Sequence, residues 1–130
     1  MMMGEGVSVI GAELRSRMTG LRQTGEREYA CTMDFDPAFR GFEGHFEGNP
    51  IVPGVCLIQA VRVVAEAVLG KNLATRSVSN CRFRRPVSAG ETAAVKIRFE
   101  KTEEELWTLR ADIRVGGEVC AQLQLKAGLS

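Results

Sequence analysis

The sequence has 130 residues, 45% of them hydrophobic, which is enough to bury a real core in one ordinary domain. Its 17 basic and 16 acidic residues give a formal net charge of +1, with both signs mixed along the chain. We therefore expect a single domain over residues 1–130, and neither a disordered chain nor a nucleic-acid partner.

The cysteines and the longest apolar run exclude further classes of protein. Four cysteines lie far apart, without a C-x-x-C pair, and the chain has only one histidine. This spacing argues against a zinc site, so we expect no metal and free thiols in a reducing cytoplasm. The N-terminus does not resemble a signal peptide, and Arg62 and Glu66 interrupt the longest apolar run, so no membrane span is expected.

The N-terminal part gives the weakest pattern. Residues 1–9 are expected to be loosely ordered, and residues 10–18 fit either a short helix or a strand. Thr19-Gly20 and Thr24-Gly25 resemble turns. From residue 28 to residue 35, apolar and polar side chains alternate, which predicts a strand with one buried face.

A long loop and an apolar helix are predicted next. Loops as long as residues 36–53 are usually functional or ordered by their own packing in compact domains. Residues 55–69 predict a helix, since Pro53 suits its first turn and Gly70 suits its C-terminal stop. Its faces are apolar nearly all round, so we expect it to be buried on several sides. The polar exceptions are Gln59, Arg62 and Glu66.

The part after Gly70 is typical of antiparallel sheet. One strand is predicted over residues 77–85, and alternating apolar and polar residues predict three more. Gly116-Gly117 predicts a two-residue hairpin between the last two strands. One buried helix and several one-sided strands predict an α+β fold, in which the sheet curls around the helix.

The only histidine, His45, lies in the long loop just before the predicted helix. An imidazole titrates near neutrality, and a helix start presents backbone N–H groups, so this region suits acid/base chemistry. By itself, a loop histidine is more often structural.

Two segments resemble a known family. GHFEGNPIVPGVCLIQA is similar to the G-H-F-P-G-x-P-I-x-P-G-V signature of hotdog-fold 3-hydroxyacyl-[acyl-carrier-protein] dehydratases of the FabA/FabZ type. CRFRRPVSAGE is similar to the F-R-R-P-V-x-P-G segment of the same family. The resemblance implies a hotdog fold, and loss of water from a 3-hydroxyacyl thioester to give a trans-2-enoyl thioester.

The resemblance also implies catalytic roles. His45 would remove the C2 proton, and the N–H of Gly54 would polarise the thioester carbonyl. The family's acid stands fourteen residues after the histidine, where this chain has Gln59. An amide cannot donate a proton at neutral pH, and losing acid assistance should cost about 10²–10⁴-fold in rate. Glu66 shares the helix face of Gln59 and could substitute, although a solvated charge is the simpler interpretation.

We further assign substrate contacts to Phe46, Pro53, Val55, Arg84 and Arg85. Arginine suits phosphate, so Arg84 and Arg85 could bind the phosphopantetheine arm or an acidic carrier protein. The alternative is strand alternation, with the arginines facing solvent and Phe83 facing inward. Ile51 and Val52 are expected to line an acyl tunnel or simply to anchor the loop.

The resemblance implies partners as well. These are an acyl carrier protein with an acyl-phosphopantetheine group and a second copy of the chain, as a homodimer or a higher homo-oligomer. The chemistry requires no cofactor. Because Gln59 replaces the acid, two alternatives stay open: a degenerate protein that binds acyl thioesters or pairs with an active dehydratase subunit, and an acyl thioesterase.

Overall fold

The computed structural model describes residues 9–43 and 48–130. His45, Phe46 and most of the predicted loose N-terminus therefore lie outside the described residues. The helices are α1 (Val9–Arg17), α2 (Gly54–Leu69) and a short 3₁₀ helix (Arg40–Phe42). The strands are β1 (Met18–Gly25), β2 (Glu28–Phe35), β3 (Leu73–Phe83), β4 (Glu91–Glu103), β5 (Leu106–Val115) and β6 (Glu118–Leu129).

The six strands form one sheet in the order β1-β2-β4-β5-β6-β3, and every neighbouring pair is antiparallel. Helix α2 packs against β3, β4 and β6, and α1 packs on α2. The apolar faces of the strands and most of α2 form one continuous core. This confirms the predicted α+β arrangement of a sheet with one central buried helix.

Helix α2 has nearly the predicted limits, because a proline precedes its start and a glycine ends it. Pro53 precedes the first helical residue, and Gly70 ends the helix in the left-handed conformation, with φ 66° and ψ 33°. Glycine tolerates this conformation without steric cost. The N–H of Gly70 donates to the carbonyl of Glu66 at 2.8 Å, which closes the last turn.

The two turns predicted before β2 are wrong. Residues 19–20 and 24–25 belong to β1, and the chain turns at residues 26–27. Gly20, with φ 69°, lies at a register shift between β1 and β2, so it forms a bulge in a strand. The ambiguous residues before it form α1.

The described residues include no helix that is both long enough and apolar enough to cross a membrane.

Candidate functional site

Two backbone donors at the start of α2 have no acceptor among the described residues. The carbonyl of Pro53 accepts from the N–H groups of Cys56 at 2.9 Å and Leu57 at 3.2 Å. Among the described residues, none accepts from the N–H of Gly54 or Val55, and Pro53 has no side chain that could cap them. These two donors lie at the positive end of the helix dipole, so they can polarise a carbonyl that accepts hydrogen bonds from them.

An apolar cleft of about 340 Å³ opens beside this helix start. The ring of Phe83 lies over Gly54, and a Cβ atom at Gly54 would come within 2.8 Å of the ring's Cζ. Phe83 is 53% exposed, so its predicted burial is wrong, although its ring does lie on the helix side. The lining consists of Ile51, Val52, Gly54, Leu57, Phe83, Arg84, Arg85 and Pro86.

The two sequence motifs meet at this cleft through main-chain hydrogen bonds. The N–H of Val52 donates to the carbonyl of Val87 at 2.8 Å, and the N–H of Ala89 donates to the carbonyl of Pro50 at 3.0 Å. An isolated antiparallel bridge between Ile51 and Ser88 completes the pairing. The entry to α2 is therefore fixed against the segment that follows β3.

Arg85 lines the cleft, but carboxylates already surround its guanidinium. Its two terminal nitrogens each lie 2.7 Å from an oxygen of Glu91, and its Nε lies 3.4 Å from Glu118. These bonds, and one from the N–H of Ser88, lower the pKa of Glu91 from 4.5 to about 2. Arg84 is exposed, and its Nε donates to Gln122 at 3.3 Å. Phosphate binding by either arginine stays a prediction.

Replacing Glu91 by glutamine should remove a stabilisation that depends on pH. Because the pKa of Glu91 is lowered on folding, its carboxylate stabilises the fold above its unfolded pKa and loses this effect as the pH falls to about 2. We expect the difference in free energy of unfolding between wild type and Glu91→Gln to be largest near pH 6 and to shrink between about pH 4.5 and pH 2. Urea denaturation across this range measures it.

The matched control for this pH series is Glu103→Gln, which removes an exposed ion pair with Lys101 at 3.6 Å. A stability difference of constant size down to pH 2 in Glu91→Gln would contradict the expectation.

A buried set of polar side chains runs along α2. Arg62 and Glu66 are 1% and 4% exposed, and Arg62 Nη1 lies 3.0 Å from Glu66 Oε2. That oxygen also accepts from the N–H of Leu73 at 2.7 Å. Arg62 Nη2 donates to Gln59 Oε1 at 3.4 Å. The interpretation of Glu66 as a solvated charge is therefore wrong, and its carboxylate is already bonded to two donors.

The described part of the long loop is anchored before it reaches residues 44–47. Arg17 bonds to Glu13 at 2.9 Å and to Asp36 at 3.2 Å, which ties α1 to the loop. The buried Phe39 ring packs edge-on between the rings of Phe35 and Phe42. The loop therefore leaves β2 along a fixed path.

All four cysteines are free thiols, as expected. Cys56 lies in the first turn of α2, where a thiolate could have been favoured by the helix dipole. Burial instead raises its pKa, and the nearby Glu13 raises it further. Cys56 is therefore a small core residue.

The structure brings together some of the sequence-predicted site residues. Gly54, Arg84 and Arg85 line one cleft, while Pro53 and Val55 are their chain neighbours and do not belong to its lining. Gln59 is half-buried and is also not part of the lining. Sequence reasoning missed Leu57, although its position three residues after Gly54 places both on one helix face.

The fold is shared with solved dehydratase and thioesterase structures. A chain of the dehydratase heterocomplex ApeI:P from Xenorhabdus doucetiae superposes with a TM-score of 0.68 and 26% identity, over 85% of this chain and 96% of that one. A hypothetical thioesterase from Streptococcus pneumoniae, solved with coenzyme A, shares the fold alone, with a TM-score of 0.65 and 12% identity over 85% and 84% of the two chains. The fold is the hotdog fold, as predicted.

Residues 21–123 match the model of the ApeI-like family, described as ApeI dehydratase, and the chain belongs to this family. A curated relative, the 3-hydroxyacyl-[acyl-carrier-protein] dehydratase FabZ of Paramagnetospirillum magneticum, is 32% identical over 90 residues, which are 62% of this chain. The match spans only 56% of the length of that relative.

Proposed function

We propose that this chain is a cytoplasmic, dehydratase-like protein that acts on 3-hydroxyacyl thioesters carried by acyl carrier protein. The observation that carries the proposal is the apolar cleft beside the N–H groups of Gly54 and Val55, which have no acceptor in the part of the chain that the structure describes. An acyl chain fits an apolar cleft, and its thioester carbonyl can then face the two donors. Membership of the ApeI-like family and similarity to FabZ support the same chemistry.

The proposed reaction is the loss of water across C2 and C3. His45 takes the C2 proton, the C2–H electron pair forms the double bond, and the C3–O bond breaks. Polarisation of the carbonyl by Gly54 makes the C2 proton more acidic. Gln59 has no proton to give, so the departing oxygen receives its proton from the imidazolium of His45 or from water.

We propose that the functional unit contains at least two copies of the hotdog domain. Gln59 follows Gly54 by five residues, which places the two about 140° apart around the helix axis. Gln59 therefore faces away from the cleft of its own chain and can reach only a ligand held by another copy. In the described sheet β3 has a strand neighbour on one side only, and exposed apolar side chains lie near the cleft: Ile51, Val55 and Phe83.

A second candidate function is pairing with a different, active dehydratase subunit. Gln59 favours it, because the position offers no acid, and the ApeI:P structure is that of a heterocomplex. In this case the chain would supply the cleft, and its partner would supply the missing proton donor.

The test follows enoyl product from the pure protein and a 3-hydroxyacyl carrier protein. We expect turnover that falls at least about 10²-fold in His45→Ala, because this variant lacks the base. Arg15→Ala, which removes an exposed cation from α1, is the matched control and should retain the activity.

An inert protein that becomes active only with a second dehydratase subunit would favour the pairing function. Release of free carrier thiol without enoyl product would contradict both functions and identify a thioesterase.

A further inference from the structure

The orientation of the Gln59 amide follows from the chemistry of its partner. Arg62 has only donors, so the atom that it contacts at 3.4 Å must be the carbonyl oxygen of the amide. The NH₂ group of Gln59 therefore points away from Arg62. Arg62 cannot easily turn, since Glu66 and the carbonyl of Leu73 hold its other terminal nitrogen at 3.0 and 3.4 Å.

The NH₂ group of Gln59 is also not fully buried. Among the described residues, Gln59 Nε2 makes no hydrogen bond, while every buried side-chain nitrogen or oxygen has a partner. Nε2 is thus an accessible atom on an otherwise half-buried side chain. A buried arginine fixes one end of the amide, and the other end is a donor that none of residues 9–43 and 48–130 uses.

We propose that Arg62 is a positioning residue, which holds the Gln59 amide so that its NH₂ group donates a hydrogen bond to the C3 hydroxyl oxygen of a 3-hydroxyacyl thioester bound in the cleft of a second copy of the chain. The ligand class rests on the proposed function. The carbonyl of that ligand already has its donors at Gly54 and Val55 of the copy whose cleft holds it, which leaves the hydroxyl oxygen as the unmatched acceptor. Gln59 then selects hydroxyacyl over unsubstituted acyl chains.

The same geometry explains why position 59 suits an amide. A glutamate there would face the guanidinium of Arg62 and form an ion pair, which favours its ionised form. Gln59→Glu alone would therefore add a carboxylate that keeps no proton to donate. An amide keeps its two N–H donors at every pH.

The test measures binding of two amide-linked pantetheine probes that cannot react. One carries a 2,2-difluoro-3-hydroxydecanoyl chain, and the other is its 3-deoxy counterpart. We expect wild type to prefer the hydroxyl probe by roughly two- to tenfold, the strength of one hydrogen bond. The preference should vanish in Gln59→Met and in Arg62→Met, with no further change in the double variant.

Val61→Ala is the matched control, because it truncates a buried residue of the same helix that, two positions after Gln59, lies on a different face. It should keep the preference. A second measurement needs no Arg62 variant: the side-chain NH₂ signal of Gln59 in ¹⁵N NMR spectra should shift with the hydroxyl probe and not with the deoxy probe.

The outcomes separate this inference from the proposed function. Equal binding of both probes by wild type, or a preference that survives in Gln59→Met or Arg62→Met, overturns the inference. The protein could also show the expected binding preference but form no enoyl product, either alone or with a partner. That result contradicts the dehydratase function and supports the inference. Absence of binding to either probe overturns both.

Discussion

Replacing Glu66 by glutamine is expected to lower the free energy of unfolding by about 3–5 kcal/mol. The pair with Arg62 lies in the core, at 3.0 Å and with side chains 1% and 5% exposed. Glutamine keeps an acceptor for the N–H of Leu73 but removes the negative charge. Arg62 would then be a buried cation that has lost the carboxylate of Glu66, and losing one partner of a buried pair is costly. Urea denaturation at neutral pH measures the loss.

Two variants make this result interpretable. Glu100→Gln removes an exposed pair with Arg110 of similar length, 2.8 Å, and should cost about 1 kcal/mol or less. Arg62→Met with Glu66→Gln removes both buried charges and should recover most of the stability. A loss in Glu66→Gln as small as that in Glu100→Gln would show that the buried carboxylate is not needed by Arg62.

Gly54→Ala is expected to lower kcat/KM by about 10²-fold while changing stability by less than about 1 kcal/mol. A helical backbone accepts alanine here, but its Cβ would come within 2.8 Å of the Phe83 ring. That ring is half exposed and can move, so the fold survives. The ring then shifts within the cleft where the thioester must approach the backbone. Enoyl formation and urea denaturation, measured on the same samples, separate the two effects.

The matched control is Gly70→Ala at the other end of α2. Gly70 has φ 66°, so alanine there should cost about 1–2 kcal/mol of stability and leave kcat/KM unchanged. The loss of kcat/KM caused by Gly54→Ala should be smaller when residue 83 is already alanine, so the double variant is compared with Phe83→Ala alone. Full activity in Gly54→Ala would mean that the thioester does not approach this helix start.

Helix α2 could be predicted to within one residue, because its signals are local. Pro53 and Gly70 mark the ends through their own backbone preferences, and neither depends on the rest of the fold. Strand β2 was predictable for a similar reason, since one face is buried and its side chains alternate. The two glycines at 116 and 117 likewise form the predicted turn between β5 and β6.

Strands β1 and β3 could not be predicted as well, for two different physical reasons. Almost all of β1 is exposed, so no buried face imposes a period of two. Strand β3 has register shifts between Thr75 and Ser77 and between Ser79 and Arg82. Each shift inserts an extra residue and reverses the alternation. The predicted strand therefore began only after the first shift, four residues late.

The sequence motifs predicted residues that line the candidate site. They could not predict which side chains bond to one another there. The two motifs pointed to Gly54, Arg84 and Arg85, which line one cleft. No sequence pattern could show that Arg85 is bonded to Glu91, or that Arg62 turns toward Gln59. Such pairings depend on the register of β3 and on the rotation of α2, which only the packed structure determines.

The strand order also determines how late in synthesis the sheet can be completed. Within the described sheet β3 pairs only with β6, the strand furthest along the chain. At a synthesis rate of roughly 5–20 residues per second, several seconds pass between the synthesis of β3 and that of β6. Throughout this interval both of its edges are open to intermolecular pairing. Arg76 and Arg82 place positive charges along the unpaired β3 strand. Such charges oppose aggregation of the nascent chain.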